Sequence, residues 1–393
     1  MTAPIRLLVV SFLLLFLYEH SSAQGPPAQS KAPAAAKRPD VTLELADALT
    51  PAEWAGVDRG VVRALAWMAA QQQADGSFPT RDPGQPAITS LCVLAFLSAG
   101  HQPGEPPYGE HMNRAIDYVL GCQQESGLLC LLVPEQRHVH QGASHTATYN
   151  HAISGLMLSE VYGQVSRERL AKIEPAVKLA LKMTERMQKD PAKGDPRDEG
   201  GWRYMNRFAG STSDLSVTGW QLMFLRSAKN AHFEIPDAEV NAAMAYIESL
   251  FQPDRGEFFY GHFSANDRYA SRGIMGVGAL SLALGGKHNT EMARRVGDWL
   301  LTHPFDKYGA TMHHYDRFHY SAYYCSNAMA QLGGDYWRKV FPTLAKTLLD
   351  AQQDDGSWLA ESGEDRQYGS SYPTALSVLT LTPGYQLLPI YQR

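Results

Sequence analysis

The sequence predicts an all-α fold in which six helical hairpins close into a ring. Three observations predict it: a turn that recurs along the chain, apolar segments of helical periodicity between the turns, and a near absence of strand-like alternation. The turn has the form Gln-x-x-x-Gly-x-(bulky residue), and residues 352–358 give its clearest copy, Gln-Gln-Asp-Asp-Gly-Ser-Trp. Successive turn glycines lie 47 to 73 residues apart, a spacing typical of repeats that bury their apolar faces against their neighbours. These glycines are Gly76, Gly127, Gly200, Gly256, Gly309 and Gly356.

Each turn joins two helical segments of different character. The first of a pair is amphipathic, as in residues 291–301, and suits an outer ring with one face in solvent. The second is apolar on most faces, as in residues 274–284, and suits an inner ring with neighbours on all sides. Thr50-Pro51-Ala52-Glu53 is the start signal of the first helix, with a Thr cap, a Pro in the first turn and a Glu three residues after the cap. The expected pairs are 57–72 with 86–99, 112–123 with 147–162, 170–187 with 215–231, 237–251 with 269–284, 290–302 with 320–332, and 335–353 with 372–381.

The N-terminus predicts export. Arg6 precedes an apolar run at residues 7–17, and small residues follow at Ser21-Ser22-Ala23. A run of about eleven residues is too short to cross a bilayer, so residues 1–23 are interpreted as a cleaved signal peptide, with an uncleaved anchor as the alternative. Residues 24–42 are rich in Pro and Ala and are expected to form a disordered linker. Residues 43–393 then form a single ring domain, exported to the periplasm or secreted, with no transmembrane segment left after cleavage.

Charge and cysteine content exclude several classes. A net charge of −5, with no basic patch, does not favour nucleic acid as a partner. Cys122 and Cys130 flank one turn at a separation that a disulfide could close. Cys92 and Cys325 lie in apolar helical patterns, where a thiol packs as a small hydrophobe. The spacing of the four cysteines matches no structural zinc site.

The repeat turns resemble those of the prenyltransferase/squalene-cyclase repeat superfamily, and so do residues 213–220 and the run Tyr372-Pro373-Thr374-Ala375-Leu376. The resemblance covers roughly residues 55–385 and implies an (α/α)6 toroid with its cavity at one end of the inner helices. Cyclases of that superfamily protonate an alkene with the middle carboxylate of an Asp-x-Asp-Asp-Thr-Ala run. In the matching segment only Asp214 is kept, and Ser216 stands at the position of the acid. Standard cyclase chemistry is therefore not expected.

Two other activities of related toroids also lack their residues here. The zinc site of the prenyltransferases needs an Asp two residues before a Cys, and Tyr323 stands at that place before Cys325. The thioester motif Gly-Cys-Gly-Glu-Gln is matched only faintly by Gly121-Cys122-Gln123-Gln124-Glu125, which coincides with a repeat turn. Neither a metal nor another cofactor is therefore predicted.

Polar and aromatic residues cluster at the starts of the inner helices, where a toroid gathers them around one opening. Asp214, His151 and Tyr149 are the candidate catalytic residues, because a carboxyl, an imidazole and a phenol can each transfer a proton. Asp214 is better explained as a helix N-cap, although a cap residue at the cavity mouth could serve both roles. The tyrosines are equally well explained as a packed aromatic belt. Histidines of the loops could bind a metal, but their spacing is not that of helical metal sites. The candidate ligand-binding residues are Asn150, Arg268, Arg272, His319, Tyr320, Tyr323 and Tyr372.

Three functions are compatible with this set. The first is a binding protein that holds a small-molecule, lipid or glycan ligand, or a partner, at the cavity mouth. The second is an enzyme acting on an isoprenoid or lipid, like a cyclase or isomerase, with a non-standard acid. The third is a polysaccharide lyase, which the Tyr, His and Arg side chains would suit.

Overall fold

The structure is a computed structural model that describes residues 45–134, 141–189, 195–205, 212–262, 270–313, 316–360 and 363–392. The proposed signal peptide and linker lie outside the described residues, and so does Arg268. The helices of the described residues are, in chain order, α1 Pro51–Gln71, α2 Ala87–Ser98, α3 Gly109–Gly121, α4 Gln141–Glu160, α5 Arg167–Gln188, α6 Leu215–Asn230, α7 Asp237–Ser249, α8 Arg272–Leu284, α9 Glu291–Leu301, α10 Phe318–Leu332, α11 Gly334–Ala351, α12 Gly363–Arg366 and α13 Ser371–Leu381. Two short strands, β1 Phe251–Gln252 and β2 Glu257–Phe258, pair antiparallel at one repeat turn.

Six helices form a closed inner ring in the order α2, α4, α6, α8, α10 and α13, and α13 packs against α2 to complete it. Helices α1, α3, α5, α7, α9 and α11 surround this ring. Burial follows the two kinds of sequence pattern. Every residue of α2 is buried, whereas α9 buries only the stripe Ala293, Val296, Gly297 and Leu300. The all-α ring of six hairpins predicted from the repeats is confirmed.

In the first and last units the Gln side chain of the repeat turn hydrogen-bonds both its own turn and a neighbouring outer helix. In the first unit the Gln72 side-chain amide donates to the carbonyl oxygen of Gly76 at 2.9 Å and to that of His111, in α3, at 2.8 Å. In the last unit Gln352 donates to the carbonyl oxygens of Gly356 at 2.9 Å and of Gly60, in α1, at 2.8 Å. The sixth turn therefore docks on the first outer helix, and this contact closes the outer ring.

The structure extends the turn pattern in the third unit, where the sequence shows no glutamine near Gly200. Gln188, at the end of α5, donates to the carbonyl oxygen of Gly200 and to that of Glu239 in α7, both at 2.9 Å. Gln188 and Gly200 are twelve residues apart, whereas the Gln and Gly of the other Gln-containing turns are four apart, so this unit carries an insertion but keeps the same hydrogen bonds. In the second unit Gln123 donates to the carbonyl oxygen of Ala176, inside α5, at 2.8 Å.

The four cysteines are free and buried, so the bridge that the spacing of Cys122 and Cys130 allows is not formed in the structure. Burial raises the pKa of Cys122 to about 11 and that of Cys130 to about 12. Among the described helices none combines the length and the apolar character that a membrane crossing needs.

Candidate functional site

A cavity of about 540 Å³ opens at the N-terminal ends of the inner helices. This volume lies within the range of pockets that bind small molecules. Each inner helix contributes a residue of its first turns, and most contribute a second one four positions later. Such residues share one helix face because an α-helix repeats every 3.6 residues. Tyr149 with Ile153, Ser216 with Trp220, and Tyr372 with Leu376 are pairs of this kind.

Helix α6 begins with an ion pair buried behind the cavity wall. Asp214 is fully buried, and its Oδ1 accepts a hydrogen bond from the backbone N–H of Val217 at 2.8 Å, which makes it the N-cap of α6. A backbone bridge between Trp202 and Asp214 places the next residue, Arg203, beside the carboxylate. Arg203 Nη1 donates to Asp214 Oδ2 at 2.8 Å. The charge of Asp214 is thus matched by a guanidinium that itself lines the cavity.

Tyrosine rings surround this guanidinium. Arg203 lies 4.3 Å from the ring centre of Tyr204 and 5.5 Å from that of Tyr260, at distances where a cation is attracted by an aromatic face. Arg203 Nη1 also donates to the Tyr260 hydroxyl at 3.1 Å, and the Tyr204 and Tyr260 hydroxyls are 2.6 Å apart. The Leu215 N–H donates to the Tyr260 carbonyl at 2.8 Å, which fixes Tyr260 beside the start of α6.

Tyr149 joins the same network through a serine. Its hydroxyl lies 2.5 Å from Ser216 Oγ, and Ser216 donates to Asp214 Oδ1 at 3.0 Å. Burial, the neighbouring Tyr204 and Tyr260, and the charge of Asp214 raise the pKa of Tyr149 well above its usual value. We call Tyr149, Arg203, Tyr204, Ser216 and Tyr260 the polar arc of the cavity.

The wall formed by α2 is apolar, and Leu376 of α13 continues it. Ala87, Ile88 and Leu91 of α2 and Leu376 of α13 face the cavity, and we call them the apolar arc. In the order of the inner ring, α13 and α2 lie across from α6 and α8, beside which the polar arc is built. Further polar residues lie among the lining residues, namely Arg317, Asp365, Tyr368 and Tyr372. The cavity therefore offers a polar wall and an apolar wall to one occupant.

Four of the residues predicted to form the site line this cavity: Tyr149, Asn150, Tyr320 and Tyr372. The Asn150 amide is already used by the protein, since its Oδ1 accepts from the Ala87 N–H at 3.3 Å and its Nδ2 donates to the Pro83 carbonyl at 2.9 Å. Asn150 therefore braces α4 against the start of α2.

His151 lies away from the cavity, between α4 and the second repeat turn. Its Nδ1 accepts from the Leu129 N–H at 3.2 Å, and its Nε2 lies 3.0 Å from Thr184 Oγ1 of α5. Burial lowers the pKa of His151 to about 3. In the first and last units the equivalent bond to the turn is made by threonine, with Phe78 N–H donating to Thr89 and Trp358 N–H to Thr374, each at 3.0 Å. His151 thus takes the place of a structural threonine.

Arg272 also faces the packing between units rather than the cavity. Its Nε and Nη2 donate to Asp316 Oδ2 at 3.0 and 2.9 Å, and its Nη1 donates to the Pro304 carbonyl at 3.1 Å. The guanidinium lies 4.2 Å from the ring centre of Phe305. These contacts hold the segment between α9 and α10 against the start of α8.

His319 and Tyr323 are buried in α10 and do not line the cavity. His319 Nε2 lies 3.1 Å from the Tyr308 hydroxyl. Tyr323 stacks on Trp220, with ring centres 5.5 Å apart and planes 9° apart, and its hydroxyl lies 2.6 Å from that of Tyr391 near the C-terminus.

Arg203, Tyr204 and Tyr260 line the cavity but are not among the residues that the sequence predicts for the site. A signal for the two tyrosines was present, because each stands four residues after a turn glycine, Gly200 or Gly256. The residues that follow a turn run toward the inner-helix starts, so this position reaches the cavity. Among the described residues no group of three or more His, Cys, Asp or Glu is placed to hold a metal ion.

No sequence-family model matches the chain, and no curated protein matches it in sequence. Solved structures do match its fold. One is an inactive variant of the α-1,6-mannanase GH76A of Salegentibacter sp. HEL1_6 in complex with α-1,6-mannotriose, which is 9% identical over 84% of this chain and 99% of its own, with a TM-score of 0.57.

Another is the type II terpene cyclase MstE of Scytonema in complex with geranylgeranyl dihydroxybenzoate, which is 13% identical over 86% of this chain and 100% of its own, with a TM-score of 0.54. A D-mannose isomerase is 13% identical over 84% of this chain and 97% of its own, with a TM-score of 0.58. At these identities the likeness is one of fold, and it confirms the architecture that the repeats implied. The chain is an α/α toroid of six helical hairpins.

Proposed function

We propose that the protein is an exported toroid that binds an amphipathic small molecule in its central cavity, without standard cyclase chemistry. The observation that carries this proposal is the division of the cavity wall. The polar arc supplies hydroxyls and a guanidinium, and the apolar arc across from it supplies Ile88, Leu91 and Leu376. A ligand that is polar on one side and apolar on the other can contact both walls, whereas a bare hydrocarbon can form no hydrogen bond with the polar arc.

The start of α6 argues against an alkene-protonating acid. Ser216 occupies the position at which the cyclase resemblance would place that acid, and its hydroxyl is bonded to Asp214 and Tyr149. Asp214 is also engaged within the protein, because its Oδ2 accepts from Arg203 and its Oδ1 accepts from the Val217 N–H.

The fold neighbours accommodate ligands of both characters. One holds mannotriose and another holds geranylgeranyl dihydroxybenzoate, which joins an isoprenoid chain to a polar aromatic ring. The two-sided wall favours the second kind of chemistry for this chain. The export that the N-terminus predicts belongs to the same proposal, and N-terminal sequencing of the mature protein should show that it begins after Ala23.

Calorimetry with decan-1-ol and decyl phosphate tests the proposal on the full mature protein, together with native mass spectrometry for a co-purified ligand. Ile153→Trp fills part of the cavity, because Ile153 lines it, while Val62→Trp places the same indole on an outer helix where Val62 is 61% exposed. Burial of a methylene contributes about 0.8 kcal/mol, or about 8 kcal/mol for a decyl chain, and an association cost of about 4 kcal/mol leaves a dissociation constant of about a millimolar, which hydrogen bonds to the head group should lower.

Binding of either amphiphile that is weakened about tenfold or more by Ile153→Trp, and unchanged by Val62→Trp, supports the proposal. If neither amphiphile binds and the protein carries no co-purified molecule, the proposal is wrong. Equal weakening by both variants also contradicts it, because the ligand would then lie outside the cavity.

A second candidate function is an enzyme on an isoprenoid or lipid that moves a proton through Tyr149. The hydrogen-bonded series Tyr149, Ser216 and Asp214 favours it, because this series connects the cavity to a buried carboxylate. Product formed from a bound isoprenoid alcohol, and lost in Tyr149→Phe while binding persists, would establish turnover. Binding without product in long incubations leaves the binding function alone.

A further inference from the structure

We infer that the cavity selects its occupant by a hydrogen-bond donor: Tyr149 presents an acceptor oxygen, so the preferred ligand carries a hydroxyl or N–H group where it meets α4. This inference rests on the proposed binding function and names the ligand chemistry at that site. It follows from the direction in which the hydrogen bonds of the polar arc must run.

The direction is set at Asp214. A carboxylate in an ion pair only accepts hydrogen bonds. Its Oδ2 accepts from Arg203 at 2.8 Å, and its Oδ1 accepts from the Val217 N–H at 2.8 Å and from Ser216 Oγ at 3.0 Å. Because all three neighbours must donate, the single hydroxyl hydrogen of Ser216 is committed to Asp214.

The use of the Ser216 hydrogen also fixes the direction of the hydrogen bond between Ser216 and Tyr149. Ser216 has no hydrogen left for the 2.5 Å contact, so it accepts and the Tyr149 hydroxyl donates. Tyr149 then has only lone pairs to offer in any other direction, toward the neighbouring Tyr204 hydroxyl and toward the cavity that it lines. The same residue keeps its hydrogen across the neutral range, because burial and the nearby Tyr204, Tyr260 and Asp214 raise its pKa well above its usual value.

An ether, ester or phosphate oxygen next to the Tyr149 hydroxyl oxygen would bring two acceptors together with no hydrogen between them. A hydroxyl of the same size would donate to Tyr149. A buried polar group that lacks a hydrogen bond costs more free energy than a formed hydrogen bond contributes. The wall at Tyr149 therefore discriminates between ligands that differ by a single hydrogen.

The test uses an isosteric pair, decan-1-ol and methyl nonyl ether, which have the same number of heavy atoms and differ in the donor. Calorimetry on the full mature protein should give an affinity about tenfold higher for the alcohol. Tyr149→Phe should reduce the preference to about twofold or less. Ser216→Ala releases the tyrosine hydrogen, so it should raise the affinity for the ether, a gain that a merely structural role would not produce.

Ser227→Ala is the matched control. Ser227 lies on the same helix, α6, and donates to another buried carboxylate, that of Glu160, at 2.5 Å, away from the residues that line the cavity. It should keep the tenfold preference, and thermal melting checks that each variant folds. Equal affinity for alcohol and ether in the native protein, or an unchanged preference in Tyr149→Phe, overturns the inference while the binding function stands. If neither compound binds nor any other amphiphile does, the proposed function itself has failed.

Discussion

Removal of the guanidinium beside Asp214 should destabilise the fold, and removal of the carboxylate should cost much less. Arg203→Met leaves Asp214 buried, with the Val217 N–H and the Ser216 hydroxyl as its hydrogen-bond partners among the described residues. A buried charge that loses its ionic partner typically costs about 3–5 kcal/mol. Asp214→Asn instead leaves Arg203, whose side chain is 18% exposed and can be hydrated from the cavity. We expect that variant to lose about 1–2 kcal/mol.

The double variant separates the charge from the packing. In Arg203→Met with Asp214→Asn no charge remains, and the Asn oxygen can still cap the Val217 N–H. Its free energy of unfolding should return to within about 1–2 kcal/mol of the native value, above that of Arg203→Met alone. Urea unfolding followed by circular dichroism measures all four proteins at one pH. The reasoning is refuted if Arg203→Met is neutral, or if the added Asp214→Asn makes it worse.

Three further predictions concern the turn and two buried titratable groups. Gly356→Ala should lower the free energy of unfolding by about 3 kcal/mol or more, because φ is +95° and a Cβ would lie 2.5 Å from the Arg63 carbonyl oxygen. The control Gly163→Ala, where φ is +88° and no atom lies near the added Cβ, should cost about 1–2 kcal/mol. Equal urea midpoints for the two variants would contradict this prediction. Burial raises the pKa of Glu160 to about 7 from 4.5, so the stability that its neutral form contributes below pH 4.5 is lost as the pH rises through 7. Between pH 4.5 and 8 the free energy of unfolding of the native protein should fall by about 3 kcal/mol relative to that of Glu160→Gln. Urea unfolding of both proteins at several pH values measures this difference. The lowered pKa of His151, about 3, predicts that NMR will show a neutral imidazole at pH 4.5. It also predicts that the stability which the neutral ring contributes above pH 6.5 falls as the pH drops toward 3. An NMR titration midpoint near 6.5 would contradict this, because it would show that the ring is hydrated.

The repeat turn shows how far a local pattern can be read. The Gln and Gly of residues 352–358 were visible in the sequence as a recurring pattern, and the structure gives each a role: Gln352 bonds a neighbouring helix, and Gly356 has a positive φ that a side chain resists. The third unit was harder, because Gln188 acts from beyond an insertion that hides the spacing. Sequence spacing does not measure how far apart two residues lie once a loop folds back.

The predicted site residues divide between those that face the cavity and those that face away from it. Tyr149 and His151 are two residues apart in α4, and about 100° of rotation per residue sends their side chains some 200° apart. Tyr149 therefore lines the cavity, while His151 bonds Leu129 in the second repeat turn. The first three turns of α4 carry polar residues on several faces, so no apolar stripe shows which face is central and the sequence could not choose between the two side chains.

The sequence by itself determined the hairpins, their number and the polar character of the inner-helix starts, because helix periodicity and turn chemistry are local properties. Only the tertiary structure decided that Arg203 balances Asp214, that Arg272 serves Asp316, and that Tyr149 opens onto a cavity. These pairings depend on which helix face turns toward which neighbour, and that is settled when the ring closes and every apolar side chain competes for the same interior.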